Sequence, residues 1–416
     1  MDFASAYLAS NSSNEKLFTD IPAKNTGIII VIPAFDEPGI IFTLESLAKC
    51  NAPPCNVEVI IIINAPSWAE RAQIEQNNIT LNDLSVWKQG GKDTFMNLLY
   101  HNAGVQDNRH WGVGMARKMG MDEALSRFGE IKKPDGIIAS LDADCLVEKN
   151  YLEELYDKLY LRSENKACSI YFEHPLAGEL NEDIYEAIAR YELHLRYYYQ
   201  ALKYAGFPWV YQTVGSAIAV KAGTYARAGG MNKRQGGEDF YFIQKLIPAG
   251  GYFYLNTTTV IPSPRISGRV PFGTGPVVGK MTPDIDYLTF NPSGFEYLKK
   301  LFDNVMMLYH DKDGLMEELY GMLHHSLRNF LDINNWHSRI REIRNNTSSP
   351  DSFKKRFFNW FNMFRAVKYL NFLHSGEYIQ KIPVQYAAAD LLNKLGIEEQ
   401  PVNTVKLLRK YRKMER

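Results

Sequence analysis

Two aspartates one residue apart, Asp142 and Asp144, are the residues of this chain that most directly suggest chemistry. They follow the apolar run 136–141 (GIIASL), so both carboxylates can reach one divalent cation. Mg²⁺ and Mn²⁺ prefer oxygen ligands and are usually held by one or two carboxylates plus substrate phosphates. The pattern indicates a cation site, while the alternative is that the two side chains cap the next helix or form turn hydrogen bonds.

A second acidic pair, Glu238 and Asp239, follows two glycines, Gly236 and Gly237. Glycines allow a close backbone approach, and the helix dipole favours carboxylates at a helix N-terminus. An ordinary acidic helix start has the same pattern. The pair is therefore a candidate for chemistry only together with other motifs.

Two arginines, Arg265 and Arg269, lie between Pro262 and Pro283 in a segment rich in proline, glycine and serine. A guanidinium group matches phosphate oxygens with two parallel hydrogen bonds. A loop that closes over an easily hydrolysed ligand also excludes water. We predict a mobile loop that closes over a diphosphate, with a solvated surface loop as the alternative.

The scaffold for these residues is indicated by alternating strand and helix patterns in the first two-thirds of the chain. Helical spacing separates the apolar runs 28–32 (IIIVI), 57–63 (VEVIIII) and 136–141. Continuous apolar strands between helices predict an α/β fold with a mostly parallel sheet covered on both faces. Ligands bind beyond the carboxyl ends of such strands. The polar segments at those ends are 33–37, 64–67 and 142–144.

The composition argues against several classes of partner. Lys plus Arg equals Asp plus Glu at 47 each, so no global field favours nucleic acid or an anionic membrane. The four cysteines lack paired spacing, which is typical of buried thiols in a reducing compartment. The first residues show no signal-peptide pattern, and the apolar runs are far shorter than a bilayer span. We therefore predict a cytoplasmic protein without a nucleic acid partner.

Five short motifs, taken in order, resemble the family-2 glycosyltransferases, whose catalytic domain is the nucleotide-diphospho-sugar transferase type called GT-A. The motifs are 31–37 (VIPAFDE), 58–64 (EVIIIIN), 112–120 (GVGMARKMG), 141–144 (LDAD) and 237–239 (GED). The resemblance covers about residues 27–285. It implies a GT-A catalytic domain there, with a Rossmann-like, mostly parallel sheet flanked by helices. Residues 1–26 would form an N-terminal extension and 286–416 a helical C-terminal region.

The resemblance also implies where a nucleoside-diphosphate sugar binds. Pro33, Phe35 and Glu37 match the residues that line the nucleoside pocket in the family. Arg117 and Gly120 match the helix beside the diphosphate. The donor is thus expected to be a UDP or GDP sugar.

The resemblance also implies metal-binding and catalytic roles for the residues of the two acidic motifs. Asp144 would bind Mn²⁺ or Mg²⁺ directly, with Asp142 nearer the ribose or a metal-bound water. Asp239, in the acidic pair with Glu238, would be the general base that takes a proton from the acceptor hydroxyl. A base on one side of the sugar and a leaving group on the other predict direct displacement with inversion.

Two positions depart from the family pattern. Asn64 stands where many members have an acidic pair; its amide can still pair with a base edge, but the choice between uracil and guanine is left open. His110 stands where many members have asparagine, and it either contacts phosphate or caps a helix.

Aromatic residues give two further expectations. Trp209 follows Gly206-Phe207-Pro208 in a predicted loop and is a candidate for stacking on an acceptor sugar. In the C-terminal region an aromatic stripe at helical spacing predicts a core or dimer interface, of which we favour the interface; peripheral membrane contact is the alternative. The stripe consists of Phe353, Phe357, Trp360, Phe361 and Phe364, beside Lys354, Lys355 and Arg356.

The sequence therefore predicts a metal-dependent, inverting glycosyltransferase of the hexosyltransferase type that acts on a carbohydrate or other hydroxyl acceptor. A sugar nucleotidyltransferase is one alternative. Such enzymes typically carry a basic glycine-rich loop after the first strand, whereas residues 33–38 (PAFDEP) are acidic and lack glycine. A carbohydrate- or nucleotide-binding protein without turnover is the other alternative, which Asn64 leaves open.

Overall fold

The computed structural model describes residues 3–11, 16–90, 95–106, 112–233, 237–269, 273–281, 285–310, 314–376, 378–400 and 403–416. His110 and Gly236, two residues of the sequence predictions, lie outside these ranges. The chain divides into two compact units. We call residues 1–188, 212–280 and 415–416 the sheet unit, and residues 189–211 and 281–414 the helical unit.

The α-helices of the described residues are, in chain order, α1 Ser5–Asn11, α2 Ile40–Ala48, α3 Arg71–Gln89, α4 Val113–Glu130, α5 Tyr151–Leu155, α6 Glu182–Tyr204, α7 Ala222–Arg227, α8 Glu238–Leu246, α9 Thr274–Val278, α10 Pro292–Asp303, α11 Met307–His310, α12 Leu315–Met322, α13 His325–Ile333, α14 Trp336–Asn345, α15 Pro350–Trp360, α16 Met363–Ser375, α17 Val384–Lys394 and α18 Thr404–Glu415. A π-helix, Tyr156–Tyr160, and a 3-10 helix, Ile247–Ala249, are also present. The strands are β1 Thr26–Ala34, β2 Asn56–Pro66, β3 Met96–Gln106, β4 Ile137–Ser140, β5 Leu146–Val147, β6 Ala167–Phe172, β7 Ile218–Lys221, β8 Tyr252–Ile261, β9 Leu288–Thr289 and β10 Ile382–Pro383.

Within the described residues, the sheet unit contains one eight-stranded sheet in the order β3-β2-β1-β4-β7-β6-β8-β5. The four strands from β3 to β4 are parallel to one another, whereas β7 runs antiparallel to both of its neighbours. Every residue of β1 is buried, as expected for a strand whose two faces are both covered. The carboxyl ends of β1, β2 and β4 therefore meet along one edge of the sheet.

Helix α4 packs closely against this sheet because it carries a glycine at the contact. A Cβ atom at Gly120 would lie 2.4 Å from a side-chain carbon of Val31 and 3.1 Å from one of Ile62. Any larger residue would push the helix away from β1 and β2. Gly120 thus sets the position of α4 and of Arg117, which lies one turn earlier.

The N-terminal residues are fixed to the sheet unit through α4. The hydroxyl of Tyr7 donates to Asp122 (2.9 Å) and accepts from Lys118 (2.6 Å). Arg127 donates to the carboxylate and the backbone carbonyl of Asp20 (both 3.1 Å). These bonds integrate the described part of the N-terminal extension into the unit.

The helical unit packs its aromatic residues inward. Phe353, Phe357 and Phe361 of the predicted stripe are fully buried, and Phe357 contacts the ring of Trp360. Much of the stripe therefore forms core within its own chain, while the neighbouring lysines Lys354 and Lys355 are exposed. Among the described residues, no helix combines the length and apolar character needed to cross a bilayer.

The predicted fold class is confirmed. The chain has an α/β fold in which a large, mostly parallel sheet is flanked by helices, and its C-terminal region is helical.

Candidate active site

The two aspartates of the first acidic motif lie just beyond the end of β4. The Leu141 amide donates to the carbonyl of Val31, which extends the β1–β4 pairing by one residue before the chain turns. The Cys145 amide then donates to the carbonyl of Asp142 and closes the turn. Both carboxylates stay partly exposed, at 38% for Asp142 and 22% for Asp144. The strand-end geometry thus presents two carboxylates at the sheet edge.

Arg117 links the two acidic motifs. Its guanidinium donates to Asp142 (2.6 Å) and to the buried carboxylate of Glu238. A Cβ atom at Gly215 would lie 3.0 Å from both terminal nitrogens of Arg117, so glycine makes room for this contact. Burial by itself would lower the pKa of Arg117. The negative charges of Asp142 and Glu238 outweigh this effect and raise the pKa above its usual value, so the residue stays charged.

Asp239 lies in the first turn of α8, after Gly237. Gly237 has a φ of 68°, in the left-handed region that glycine adopts at no steric cost. The Asp239 carboxylate accepts a hydrogen bond from the Phe240 amide (2.7 Å). Burial, followed by the charge of Glu238, raises the pKa of Asp239 despite the opposing effect of Arg117. Such a carboxylate holds a proton more readily than an ordinary aspartate.

The two loop arginines that follow β8 also reach the sheet edge. Arg269 donates to Glu37 (2.7 Å) and to the carbonyl of Phe35 (3.0 Å), and forms an ion pair with Asp144 (3.3 Å). Arg265 pairs with Glu37 and, at 3.4 Å, with Asp144. The segment predicted as a closing loop is thus held over the carboxylates at the ends of β1 and β4.

Glu37 anchors this arrangement. Its carboxylate is only 1% exposed, and one of its oxygens accepts from the Gly39 amide (2.9 Å). The other oxygen accepts from Arg265 and Arg269. We call residues 265–269 the arginine loop. The Glu37 side chain, which the family resemblance assigned to the nucleoside pocket, is therefore hydrogen-bonded to the arginine loop.

Asp142 and Asp144 fit a cation that takes its remaining ligands from a bound phosphate group. Burial and then the charge of Glu37 raise the pKa of Asp144, which a divalent cation would offset. No group of three or more His, Cys, Asp or Glu side chains suited to a metal is found among the described residues. The two aspartates alone match the usual mode of Mg²⁺ or Mn²⁺ binding by one or two carboxylates plus phosphate oxygens.

The remaining predicted residues lie at different places. Pro33 is buried within β1, and Asn64 is buried within β2, where its carbonyl accepts from Asn77 (3.0 Å). Trp209 belongs to the helical unit, and its ring packs edge-on against Phe358 at 6.3 Å. Its expected acceptor contact stays a prediction.

Sequence reasoning missed a cavity of about 440 Å³ beside the arginine loop. Asp36, Trp68 and Gln73 line this cavity. Trp68 lies two residues after β2 and one residue beyond the strand-end segment 64–67, so the strand-end rule extended by one residue includes it. Asp36 lies within the strand-end segment 33–37, but its backbone conformation, with a φ of 51°, is visible only in the structure.

Comparison with known proteins finds distant structural likeness. No family model matches the chain, and no curated protein matches it. The structure is similar to S. aureus TarS 1–349 in complex with UDP-GlcNAc, with 14% identity, 93% of this chain and 90% of that chain covered, and a TM-score of 0.40.

It is also similar to the mannosyltransferase PcManGT from Pyrobaculum calidifontis in complex with GDP-Man and Mn²⁺, with 12% identity, coverage of 99% and 91%, and a TM-score of 0.37. A third similar structure is glucosyl-3-phosphoglycerate synthase from Mycobacterium tuberculosis in complex with Mn²⁺, UDP-glucose and phosphoglyceric acid, with 13% identity, coverage of 61% and 72%, and a TM-score of 0.33. At these identities and TM-scores the likeness assigns neither an activity nor a residue role to this chain.

Proposed function

We propose that this chain is a metal-dependent glycosyltransferase that moves a sugar from a nucleoside diphosphate to an acceptor hydroxyl with inversion. The observation that carries the proposal is the convergence of three motifs in the sheet unit. Asp144 pairs with both arginines of the loop, and Arg117 joins Asp142 to Glu238 of the acidic pair in α8.

The donor side of this cluster suits a diphosphate. Arg265 and Arg269 present guanidinium groups that form paired hydrogen bonds with phosphate oxygens. Their present partners, Glu37 and Asp144, are also anions, so a diphosphate offers the arginines an equivalent set of acceptors. Asp142 and Asp144 would hold Mn²⁺ or Mg²⁺, which when bound neutralises negative charge on the leaving diphosphate.

The acceptor side depends on Asp239. Its raised pKa brings a carboxylate closer to the range in which it accepts a proton from a hydroxyl effectively. Glu238 raises this pKa, while Arg117 keeps part of the pair's charge compensated. A base opposite the leaving group favours direct displacement, which inverts the anomeric carbon.

Product analysis with a panel of nucleotide sugars and Mn²⁺ tests the proposal. We expect release of a nucleoside diphosphate together with a transferred sugar of inverted configuration, and loss of both products in Asp144→Ala. Asp135→Ala is a matched control, because Asp135 is exposed and pairs with Lys221. Pyrophosphate release would instead identify a nucleotidyltransferase, and retained configuration would refute inversion.

Thermal stability separates a transferase from a binding protein when the acceptor is unknown. A ligand that binds only the folded state at about 100 times its Kd adds about 2.7 kcal/mol. Stabilisation by a nucleoside diphosphate without product formation from any donor would support the binding-protein alternative. If no nucleotide raises the thermal stability of the chain, with or without metal, the result would contradict a donor site.

A further inference from the structure

The cavity of about 440 Å³ beside the arginine loop adjoins the proposed phosphate site. Its walls come from the segments after β1 and β2 and from the loop itself, and include Asp36, Trp68, Glu70 and Gln73 together with 265–269. Arg265 and Arg269 are therefore shared between the proposed phosphate site and this cavity. A nucleotide whose phosphates bind the arginines finds an adjoining space for its base.

Trp68 supplies an aromatic surface in this cavity. Its side chain is 61% exposed, an unusual state for a large apolar residue, and it meets Phe35 edge-on at a centroid distance of 6.2 Å. Aromatic faces stack on nucleic acid bases with little preference, since every base has a π-face. Trp68 can thus contribute affinity for a base but cannot choose among bases.

Asp36 supplies a fixed carboxylate in the same cavity. Its φ of 51° is uncommon for a residue other than glycine and is the kind of strain that concentrates at functional sites. The Asp36 amide donates to Asn77 (2.9 Å), and Gln73 donates to Oδ2 of Asp36 (3.2 Å). Gln73 is itself held, because it accepts from the Glu70 amide (3.1 Å). Within the described residues, Oδ1 of Asp36 is left without a hydrogen-bond partner.

The hydrogen-bonding character of the cavity discriminates among bases. Apart from the arginines, its charged groups are the carboxylates of Asp36 and Glu70, which accept hydrogen bonds and do not donate them when ionised. Guanine presents two adjacent donors, the N1 hydrogen and the N2 amino group. Uracil presents one donor between two carbonyl oxygens, and adenine presents an amino donor beside a ring acceptor. A carboxylate therefore pairs best with guanine.

We infer that this cavity binds the base of the donor and selects guanine, with Asp36 as the specificity-determining residue and Trp68 as the stacking surface. The inference rests on the proposed function and narrows it to a GDP sugar. Glu70 adds negative potential on the same wall and strengthens the preference for a donor-rich base edge.

Binding of four nucleotides to the full chain in the presence of Mn²⁺ tests this inference by calorimetry. GDP is expected to bind at least about tenfold more tightly than UDP or ADP. Inosine diphosphate lacks only the N2 amino group and is expected to bind about tenfold more weakly than GDP. Asp36→Asn should abolish the difference between GDP and inosine diphosphate. Since asparagine tolerates a positive φ, this variant should keep the fold.

Two further variants complete the test. Trp68→Ala should weaken the binding of all four nucleotides by a similar factor of about ten. Glu75→Gln, an exposed carboxylate on the same helix as Gln73 but outside the cavity, is the matched control and should change nothing.

The outcomes separate the base preference from the proposed function. Binding of UDP or ADP as tight as that of GDP would overturn the guanine assignment and leave the transferase proposal intact. Unchanged GDP binding in both Asp36→Asn and Trp68→Ala would overturn the assignment of the cavity. Failure of every nucleoside diphosphate to bind would overturn the transferase proposal, and the base assignment with it.

Discussion

At the scale of single residues, Asp239, the proposed general base, has a raised pKa that lowers the stability of the fold. Burial and the Glu238 carboxylate raise its pKa, so its ionised form is less favourable in the folded chain than in the unfolded one. The same property makes it a better proton acceptor than an ordinary aspartate. If Asp239 is the general base, as proposed, catalysis and stability favour different residues at this position.

We predict that Asp239→Asn abolishes transfer but raises Tm at pH 8 by about 2 °C. The folded pKa lies above the unfolded value of about 3.9, so the folded state binds more protons between these two pKa values. Stability of the wild-type chain thus falls as pH rises through that window, and asparagine removes this loss. Calorimetric Tm values from pH 4 to pH 8 measure the effect.

The gain should shrink toward pH 4, because the wild-type carboxyl is then protonated in the folded state and about half protonated in the unfolded state. Asp157→Asn, at an exposed position of the sheet unit, is the control and should leave Tm unchanged. A lower Tm than wild type at pH 8 would show that ionised Asp239 stabilises the fold.

At the scale of elements, the loop after β8 brings two arginines to Asp144, a carboxylate that the proposed metal site also uses. Arg265 and Arg269 both pair with Glu37 and Asp144, and all four side chains are at most one-quarter exposed. A divalent cation must therefore compete with the arginines for Asp144. A diphosphate relieves this competition, since it accepts hydrogen bonds from the arginines and also supplies oxygen ligands.

We predict that Arg269→Ala strengthens Mn²⁺ binding in the absence of nucleotide by about two- to fivefold. The same variant should weaken nucleoside diphosphate binding, because it removes a guanidinium that we propose binds phosphate. Titration of Mn²⁺ by electron paramagnetic resonance, with and without nucleotide, measures both effects. Arg162→Ala, an exposed arginine of the same unit, is the matched control. Weaker Mn²⁺ binding in Arg269→Ala would rule out the competition.

At the scale of the whole molecule, residues far apart in sequence complete the sheet unit. Glu415 is buried and accepts from Gln212 (3.2 Å) and Tyr254 (3.3 Å). Arg416 donates to Thr259 (2.7 Å), and its guanidinium lies 4.7 Å from the ring centroid of Tyr171. These bonds attach residues 415–416 to strands β6 and β8.

We predict that Glu415→Ala lowers Tm by about 1–3 °C and leaves nucleotide affinity unchanged. The loss arises because the buried amide of Gln212 and the half-buried hydroxyl of Tyr254 no longer have their charged acceptor. Differential scanning calorimetry and nucleotide titration measure the two quantities. Arg409→Ala, at an exposed position of α18, serves as control. An altered nucleotide Kd would show that this attachment also shapes the site.

Sequence patterns predicted much of the scaffold because they depend on local rules. The apolar runs 28–32, 57–63 and 136–141 became β1, β2 and β4, since a strand buried on both faces needs continuous apolar residues. The α/β class and the placement of Asp142 and Asp144 after β4 thus follow from the sequence by itself.

The assembly of the site was decided by the tertiary structure. Arg265 is 121 residues from Asp144, and Arg117 is 121 residues from Glu238, so no local pattern relates either pair. Their contacts depend on the strand order, with β7 inserted antiparallel beside β4, and on Gly120, which lets α4 lie against the sheet. The strained backbone of Asp36 is fixed by Asn77 and Gln73 on α3. The sequence determined which residue types stand at the strand ends; packing between distant segments determined which of them meet, because side-chain contacts form only where the packed elements bring the groups together.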